Sequence, residues 1–517
     1  MRDQFDIFIR RGTIVDGTGA TPYCGSIGIK DGLITYIGKT DKKADVVLDA
    51  SNCIVSPGFI DAHSNLSWGL FIDPYCRVAV YQGVTSAITG NCGSSVFPVT
   101  GATRNWIRKA GLEYGVEPHW QELKEYAKYL DRIAINIFPL VGHGTLRVAV
   151  SGFVGRSLYS DELVKLKTLI QKMLKQGAWG ISFGLAYPPG IFADMNELIM
   201  CCKESSTLGK PCCFHLRIES DQIEDAVNEV IQLATHSGAA CVICHRKVLG
   251  RANWGKTKQT INMINNACKK GHKIFLDMYP YTYVFRNVAM LLPDWAHEGG
   301  REQLLKRLAD PCIIPDLIVG MQENIRKWDA SWEDTVIIKA PFTPSLERMR
   351  LSEIIKERGE KGILEILLKN GGKLLTFYEG ISQEDLIRIA KYSGTMVGTD
   401  CTAQHGDDIG HPRSFATFPK FLDDFVFKNQ ILSLEEAIWK MTGLTARVFR
   451  IIDRGVLKVG FKADICVFSI NEIDYVANAK SPLTTPWPRH LVINGKIVIH
   501  NKKLTGELPG RCILSSL

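Results

Sequence analysis

Eight apolar, strand-like runs alternate with amphipathic helical stretches through the middle of the chain, and shorter alternating runs lie at both of its ends. Together they predict an α/β fold, a (β/α)8 TIM-like barrel with a small β-sandwich formed by the N- and C-terminal segments. A third observation, polar residues collecting where the eight runs end, predicts a site at the C-terminal face of that barrel. The expected division is residues 1–57 for the first part of the sandwich, 58–450 for the barrel, and 451–517 for the second part of the sandwich. A lid or insertion is expected at about 282–394.

Near the N-terminus, Phe5 to Val15, Gly25 to Gly38 and Val46 to Val55 read as strands separated by turn residues. Ala463 to Ser469 and Leu491 to His500 carry the same alternation, and Asn494-Gly495 is a type I′ hairpin signal. The eight barrel runs are Gly58 to His63, Val84 to Cys92, Ile135 to His143, Gly180 to Leu185, Cys212 to Arg217, Ala240 to His245, Lys273 to Tyr281 and Thr395 to Asp400. Their ends present His63, Cys92, His143, His215, His245, Tyr279 and Asp400. Along the first run, alternation sets Asp61, His63 and Asn65 on one face. On the sixth it turns Cys241, Ile243 and His245 inward and Cys244 outward. The segment between Tyr281 and Thr395 is too long for a βα unit and has helical stretches at Gly300 to Ala309 and Leu351 to Lys369.

Composition narrows the function classes. With 517 residues, 45% hydrophobic and 22% charged, the chain reads as an ordinary soluble globular protein. The charge of +8 arises from 62 basic and 54 acidic residues spread along its length, so no nucleic-acid partner is expected. Neither an apolar leader nor a run of about 18 apolar residues is present, and no membrane segment is expected. Fifteen cysteines, many in apolar runs and some adjacent as in Cys201-Cys202 and Cys212-Cys213, fit reduced thiols in a cytoplasmic protein. Oligomeric state is left open.

Cys92, His215 and His245 each close a separate strand, and one thiolate with two imidazoles suits a tetrahedral Zn²⁺ with one open position. His63 is a further candidate ligand. Asp400 follows the last strand, where a carboxylate can accept a proton from water and pass it to a leaving amine. Capping the next turn is its structural alternative.

Several stretches then carry a resemblance. They are Gly58-Phe-Ile-Asp-Ala-His63, Gly90-Asn-Cys-Gly93, Gly142-His-Gly144, Gly184-Leu-Ala-Tyr-Pro-Pro-Gly190, His215-Leu-Arg-Ile-Glu219, His245-Arg-Lys247, Tyr279-Pro-Tyr281 and His411-Pro-Arg413, with Phe461-Lys-Ala-Asp464 and Thr505-Gly-Glu-Leu-Pro-Gly510 in the tail. The chain resembles the D-aminoacylase, or N-acyl-D-amino-acid deacylase, branch of the amidohydrolase superfamily. That resemblance implies a zinc hydrolase that cleaves the amide bond of N-acyl-D-amino acids or related small N-acyl compounds through a metal-bound hydroxide. It implies Cys92, His215 and His245 as zinc ligands, Asp400 as general base and acid, and Lys247 and Tyr279 as substrate contacts. His143 is a further substrate-binding candidate.

The chain also departs from the family pattern. Asn65 stands in place of the second histidine of a His-x-His pair, so one zinc per chain is expected, an amide being a poor zinc ligand. Val284-Phe285-Arg286 replaces a Ser/Thr-rich run, which makes Arg286 a candidate for holding a substrate carboxylate. Arg246 follows His245 where a second histidine is usual. Two alternatives stand beside the amidohydrolase reading: a barrel that has lost catalysis and serves binding or assembly, and a hydrolase of cyclic amides or dipeptides.

Overall fold

The structure is a computed structural model that describes residues 4–40, 42–402, 411–472 and 486–516. A nine-stranded sheet is assembled from both ends of the chain. Its N-terminal strands are Phe5–Ile14, Tyr23–Lys30, Leu33–Gly38, Ala44–Asp49 and Ile54–Pro57, and its C-terminal strands are Ile465–Phe468, His490–Ile493, Lys496–His500 and Lys503–Leu504. The two groups join where Ile54–Pro57 runs antiparallel to Ile465–Phe468, with Val55 opposite Val467. Alternate residues Ile7, Ile9, Ile27, Ile29, Ile465 and Val467 meet in one core, which makes this sheet the small β-sandwich.

Two of the terminal runs are finer-grained than the alternation suggests. Gly25 to Gly38 is a hairpin, because Asp31 and Gly32 take positive φ (51° and 76°) and reverse the chain. Val46 to Val55 is two strands separated at residues 50–53. Asn494 and Gly495 have φ of 48° and 77°, the left-handed pair that a type I′ turn requires.

All eight barrel runs contain strands: Phe59–Asn65, Val84–Thr89, Asn136–Pro139 with Val141–Gly142, Ile181–Gly184, Cys212–His215, Cys241–Ile243, Ile274–Met278, and Thr395–Val397 with Cys401–Thr402. The third and eighth are each broken in two. Asn136–Pro139 pairs with the second strand and Val141–Gly142 with the fourth. Thr395–Val397 pairs with the seventh strand and Cys401–Thr402 with the first, which closes the ring. Ile60, Ile88, Phe138, Cys213, Val242 and Met396 form one cluster in its interior, together with Leu444 and Phe449 of the helix Gly443–Phe449.

The sixth strand corrects the expected facing. Val242 and Cys244 belong to the interior cluster, whereas Cys241 lies with Cys212 beside Cys202 of the helix Met195–Thr207, in the outer layer. The strand ends at Ile243, and His245 reaches the barrel mouth because its backbone turns left-handed (φ 33°).

After Tyr281 the chain builds a three-stranded antiparallel sheet, in the order Tyr283–Asn287, Leu375–Glu379, Val336–Lys339, with helices Arg301–Ala309, Ile314–Lys327 and Leu351–Lys369. It has a core of its own, including Leu304, Leu317, Met321, Ile337 and Leu367. The helix Gln383–Lys391, within the expected insertion, instead packs against Thr257–Lys269 in the outer layer of the barrel. Asp464 ties sandwich to barrel: its carboxylate accepts bonds from Arg454 Nε (2.9 Å), the Asn494 amide (2.6 Å) and Asn136 Nδ2 (3.2 Å) of the third barrel strand. Among the described residues, no helix is long and apolar enough to cross a membrane.

Candidate active site

Cys92 lies beyond its strand, in a loop where Gly90, Cys92 and Gly93 all have positive φ (78°, 52° and 75°). A Cβ on Gly184 would collide with the Cys92 carbonyl oxygen, and one on Gly93 would press on the Gly184 amide. The glycines of two sequence motifs therefore pack backbone against backbone, and this carries the Cys92 thiol over the barrel mouth. His245 and Asp400 are left-handed as well (φ 33° and 46°). Such conformations cost a non-glycine residue about 1–3 kcal/mol and persist only where the surroundings hold them. Here the His245 amide donates to Asp277 Oδ1 (2.6 Å) and the Asp400 amide to the His63 carbonyl (2.8 Å).

These turns bring four donors together. Cys92 Sγ lies 3.4 Å from His63 Nε2, 3.5 Å from His245 Nε2 and 3.7 Å from His215 Nδ1. In a tetrahedral zinc site, with Zn–S near 2.3 Å and Zn–N near 2.1 Å, sulfur and nitrogen stand about 3.6 Å apart. His63, Cys92 and His245 offer ligand atoms that all lie within 4.8 Å of one another, and His215 Nδ1 stands at the same sulfur, so donor types and sulfur–nitrogen spacings fit a zinc ion. Burial alone opposes ionisation of the Cys92 thiol. The charge of His63 and hydrogen bonds from His215, His245 and His63 outweigh it and hold the thiol well below its ordinary range, the state a metal ligand needs.

Asp400 Oδ1 is 3.6 Å from His63 Nε2 and accepts a bond from Asn65 Nδ2 at 3.1 Å, while Oδ2 meets Arg413 Nη2 at 2.8 Å. Burial disfavours its charge, but Arg413 foremost, then His245, His63 and Lys247, keep the carboxylate ionised. Behind the imidazoles stand further carboxylates. Asp277 Oδ2 is 3.4 Å from His63 Nδ1, and Glu219 Oε1 is 3.2 Å from His245 Nδ1 while accepting Lys247 Nζ at 2.7 Å. Such partners fix ring orientation and tautomer. The Tyr187 hydroxyl is 3.0 Å from His215 Nδ1. Asp277, Glu219, Tyr187 and Arg413 were not singled out from the sequence. The last three sit inside the motif stretches, and Asp277 precedes Tyr279 by two positions, near the end of the seventh strand.

A cavity of about 450 Å³ opens above this cluster. Its barrel side includes Asn65, Lys247, Tyr279 and Arg413, and the insertion supplies Val284, Phe285, Arg286, Met290 and Trp328. The Arg286 guanidinium lies over the Trp328 ring at 4.2 Å and bonds the Tyr378 hydroxyl at 3.1 Å. Its Nη1 is buried without a hydrogen-bond partner, and among the described residues no carboxylate forms an ion pair with it.

Three expected side chains are absent from the cavity wall, and one of them, His63, is fully buried within the cluster itself. His143 is fully buried under the third strand, with Nε2 2.7 Å from Glu197 Oε1, and Glu197 is bound in turn by Arg147 at 2.6 Å. Glu197, itself paired with Arg147, takes up the His143 Nε2, and the imidazole does not reach the cavity. Asp61 does not share the face of His63 and Asn65, because pairing with the second strand shifts register between Asp61 and Ser64. Its carboxylate accepts the amides of His63 (3.1 Å) and Thr399 (2.9 Å), and burial pushes its pKa up to about 7.

The sequence profile of the Amidohydrolase family matches residues 395–499. The D-aminoacylase of Alcaligenes xylosoxydans xylosoxydans is 30% identical, over 98% of this chain and 97% of its own. An N-acyl-D-glutamate deacylase from Bordetella bronchiseptica, solved with zinc and a phosphonate inhibitor that mimics the tetrahedral intermediate, aligns with a TM-score of 0.82 at 28% identity, covering 99% of this chain and 100% of that one. A D-aminoacylase structure aligns at 0.81 and 28% identity with the same coverage. Its binuclear metal centre is described by one-metal activation and second-metal attenuation.

Proposed function

Because the chain belongs to the D-aminoacylase family of amidohydrolases, which are hydrolases of amide bonds, we propose that it cleaves N-acyl-D-amino acids to a carboxylic acid and a free D-amino acid. The observation that carries this reading is the convergence of three imidazoles on Cys92 Sγ, with the ionised Asp400 carboxylate beside them.

Cys92, His215 and His245 would hold one zinc ion, with His63 as the neighbouring imidazole. When bound, zinc supplies a Lewis acid for the amide carbonyl and makes water a stronger acid. Asp400 accepts the proton that the attacking water loses and returns it to the leaving amine nitrogen. Asn65 and His63 fix its Oδ1 for that exchange, and Arg413 holds Oδ2. The Tyr187 phenol, beside His215, would donate to the carbonyl oxygen as negative charge develops there. Lys247, Tyr279 and Arg286 hold the amino-acid carboxylate. Arg286 brings the donor with no other partner, and Lys247 shares its charge with Glu219.

Occupancy stops at one ion, because the Asn65 amide bonds Asp400 where a second imidazole would be a ligand. The test is to load the purified protein with zinc, measure bound metal, and follow release of D-amino acid from N-acetyl-D-amino acids beside their L-isomers. One zinc per chain with turnover of the D-isomers is expected. A zinc-loaded protein that hydrolyses none of them overturns the reading.

A further inference from the structure

A second cavity, of about 340 Å³, adjoins the first and shares with it Ala186, Tyr187, Pro188, Arg217, Met290 and Trp328. It lies over the loops that follow the third, fourth and fifth strands, which supply Phe153, Ile191 and Arg217, and the insertion roofs it with Leu292 and Leu304. Phe153 and Met290 are half-buried and Leu292 and Leu304 fully so, which gives the chamber an apolar side within a wall that also carries polar residues. Several polar groups on its wall have partners of their own, while Asp294, His297 and Lys327 add polar and charged groups to its rim. The Asn324 amide donates to the Leu291 and Leu292 carbonyls, Arg301 bonds the Gly371 carbonyl and Glu113, and Lys373 pairs with Glu113.

Its position relative to the substrate follows from strand order. The carboxylate-holding groups proposed above, Lys247 and Tyr279, follow the ends of the sixth and seventh strands, and Arg286 comes after them. A substrate anchored there and cleaved at the Cys92 cluster must send its acyl group across the barrel mouth, toward the third to fifth strands. That is where the second chamber opens. We infer that this chamber is an acyl-chain subsite, and that the substrates are N-acyl-D-amino acids carrying medium- to long-chain aliphatic acyl groups, beyond N-acetyl. The inference rests on the deacylase reading and deepens it.

The experiment measures kcat/KM of the zinc-loaded, full-length protein on N-acetyl-, N-hexanoyl- and N-decanoyl-D-alanine. Burial of each added methylene gives a gain of up to about fourfold, so an increase of at least about tenfold from acetyl to hexanoyl is expected. N-acetyl-D-2-aminodecanoic acid puts the long chain on the other side of the amide and should show no such gain. A gain confined to that compound would assign the chamber to the amino-acid side chain and overturn the acyl assignment. A flat acyl series would overturn it too, while N-acetyl-D-alanine turnover would leave the deacylase reading intact. Ala289, on the chamber wall and outside the first cavity, provides the control. Ala289→Phe should keep the N-acetyl-D-alanine rate within about twofold and erase the chain-length gain, and survival of the gain would overturn the proposal. If no N-acyl-D-alanine is hydrolysed, the deacylase reading fails, and calorimetric binding then decides the chamber: N-decanoyl-D-alanine must bind at least about tenfold tighter than N-acetyl-D-alanine, and equal affinities overturn the subsite.

Discussion

The barrel mouth and the insertion above it face the same cavity but are built differently. Cys92, His245 and Asp400 stand on left-handed backbone, fixed by glycine contacts and by amides bonded to Asp277 and His63. Arg286, Met290 and Trp328 ride on a sheet and helices whose core is separate from that of the barrel. The first arrangement tolerates almost no displacement. The second can change side chains at the cavity while its own core stays intact, which suits a region that sets substrate preference.

If that contrast holds, changes to the mouth should abolish chemistry and changes to the roof should retune it. The largest effect is expected from Gly184→Ala, whose methyl group would push on the Cys92 carbonyl. Bound zinc should fall well below one per chain, with turnover lost alongside, as in Cys92→Ala; metal analysis of both variants checks this. Next comes Asp400→Asn, expected to keep its zinc and lose roughly 10²- to 10⁴-fold in kcat. Full activity in that variant would remove Asp400 from the proton-transfer role. For Arg286→Met the expected change is a rise in KM of about 10- to 100-fold with kcat little altered, since a charge-assisted bond to substrate is removed. A drop in kcat alone would place Arg286 with the mouth and blur the contrast.

The smallest effect on rate is expected from Asn65→His, which offers an imidazole in place of the amide bonded to Asp400. Zinc titration of the apoprotein should show a second ion in the variant and a single one in the wild type. Two tight ions in the wild type would refute the single-metal proposal.

The contrast also explains what the sequence disclosed. Eight apolar runs of strand length, seven of them with a polar residue at or near the end, made the barrel legible, and every run contains a strand in the structure. Distances between side chains that are far apart in sequence were not legible, and neither was facing where a strand is bulged or ends early. Simple alternation therefore misassigned Asp61 and Cys244, because a register shift and an early strand end each change which side a residue presents. His143 was misleading for a different reason: a histidine at a strand end looks the same in sequence whether it faces a cavity or a buried glutamate. Asp277 escaped notice because a lone carboxylate two residues before Tyr279 carries no spacing signal of its own. In the insertion, short strands paired out of sequence order left no repeating pattern to read.

The joint between Ile54–Pro57 and Ile465–Phe468 has a consequence for how the chain comes into being on the ribosome. The first barrel strand begins only two residues after Pro57, yet the strand that must lie beside its anchor emerges about 400 residues later. At a synthesis rate of roughly 5–20 residues per second, that delay lasts on the order of 20–80 s. Throughout it the apolar edge of Ile54–Pro57 has no neighbour on that side. Nascent chains should therefore depend on chaperones that shield exposed strand edges, and truncation before Ile465 should yield aggregation, not a smaller folded barrel.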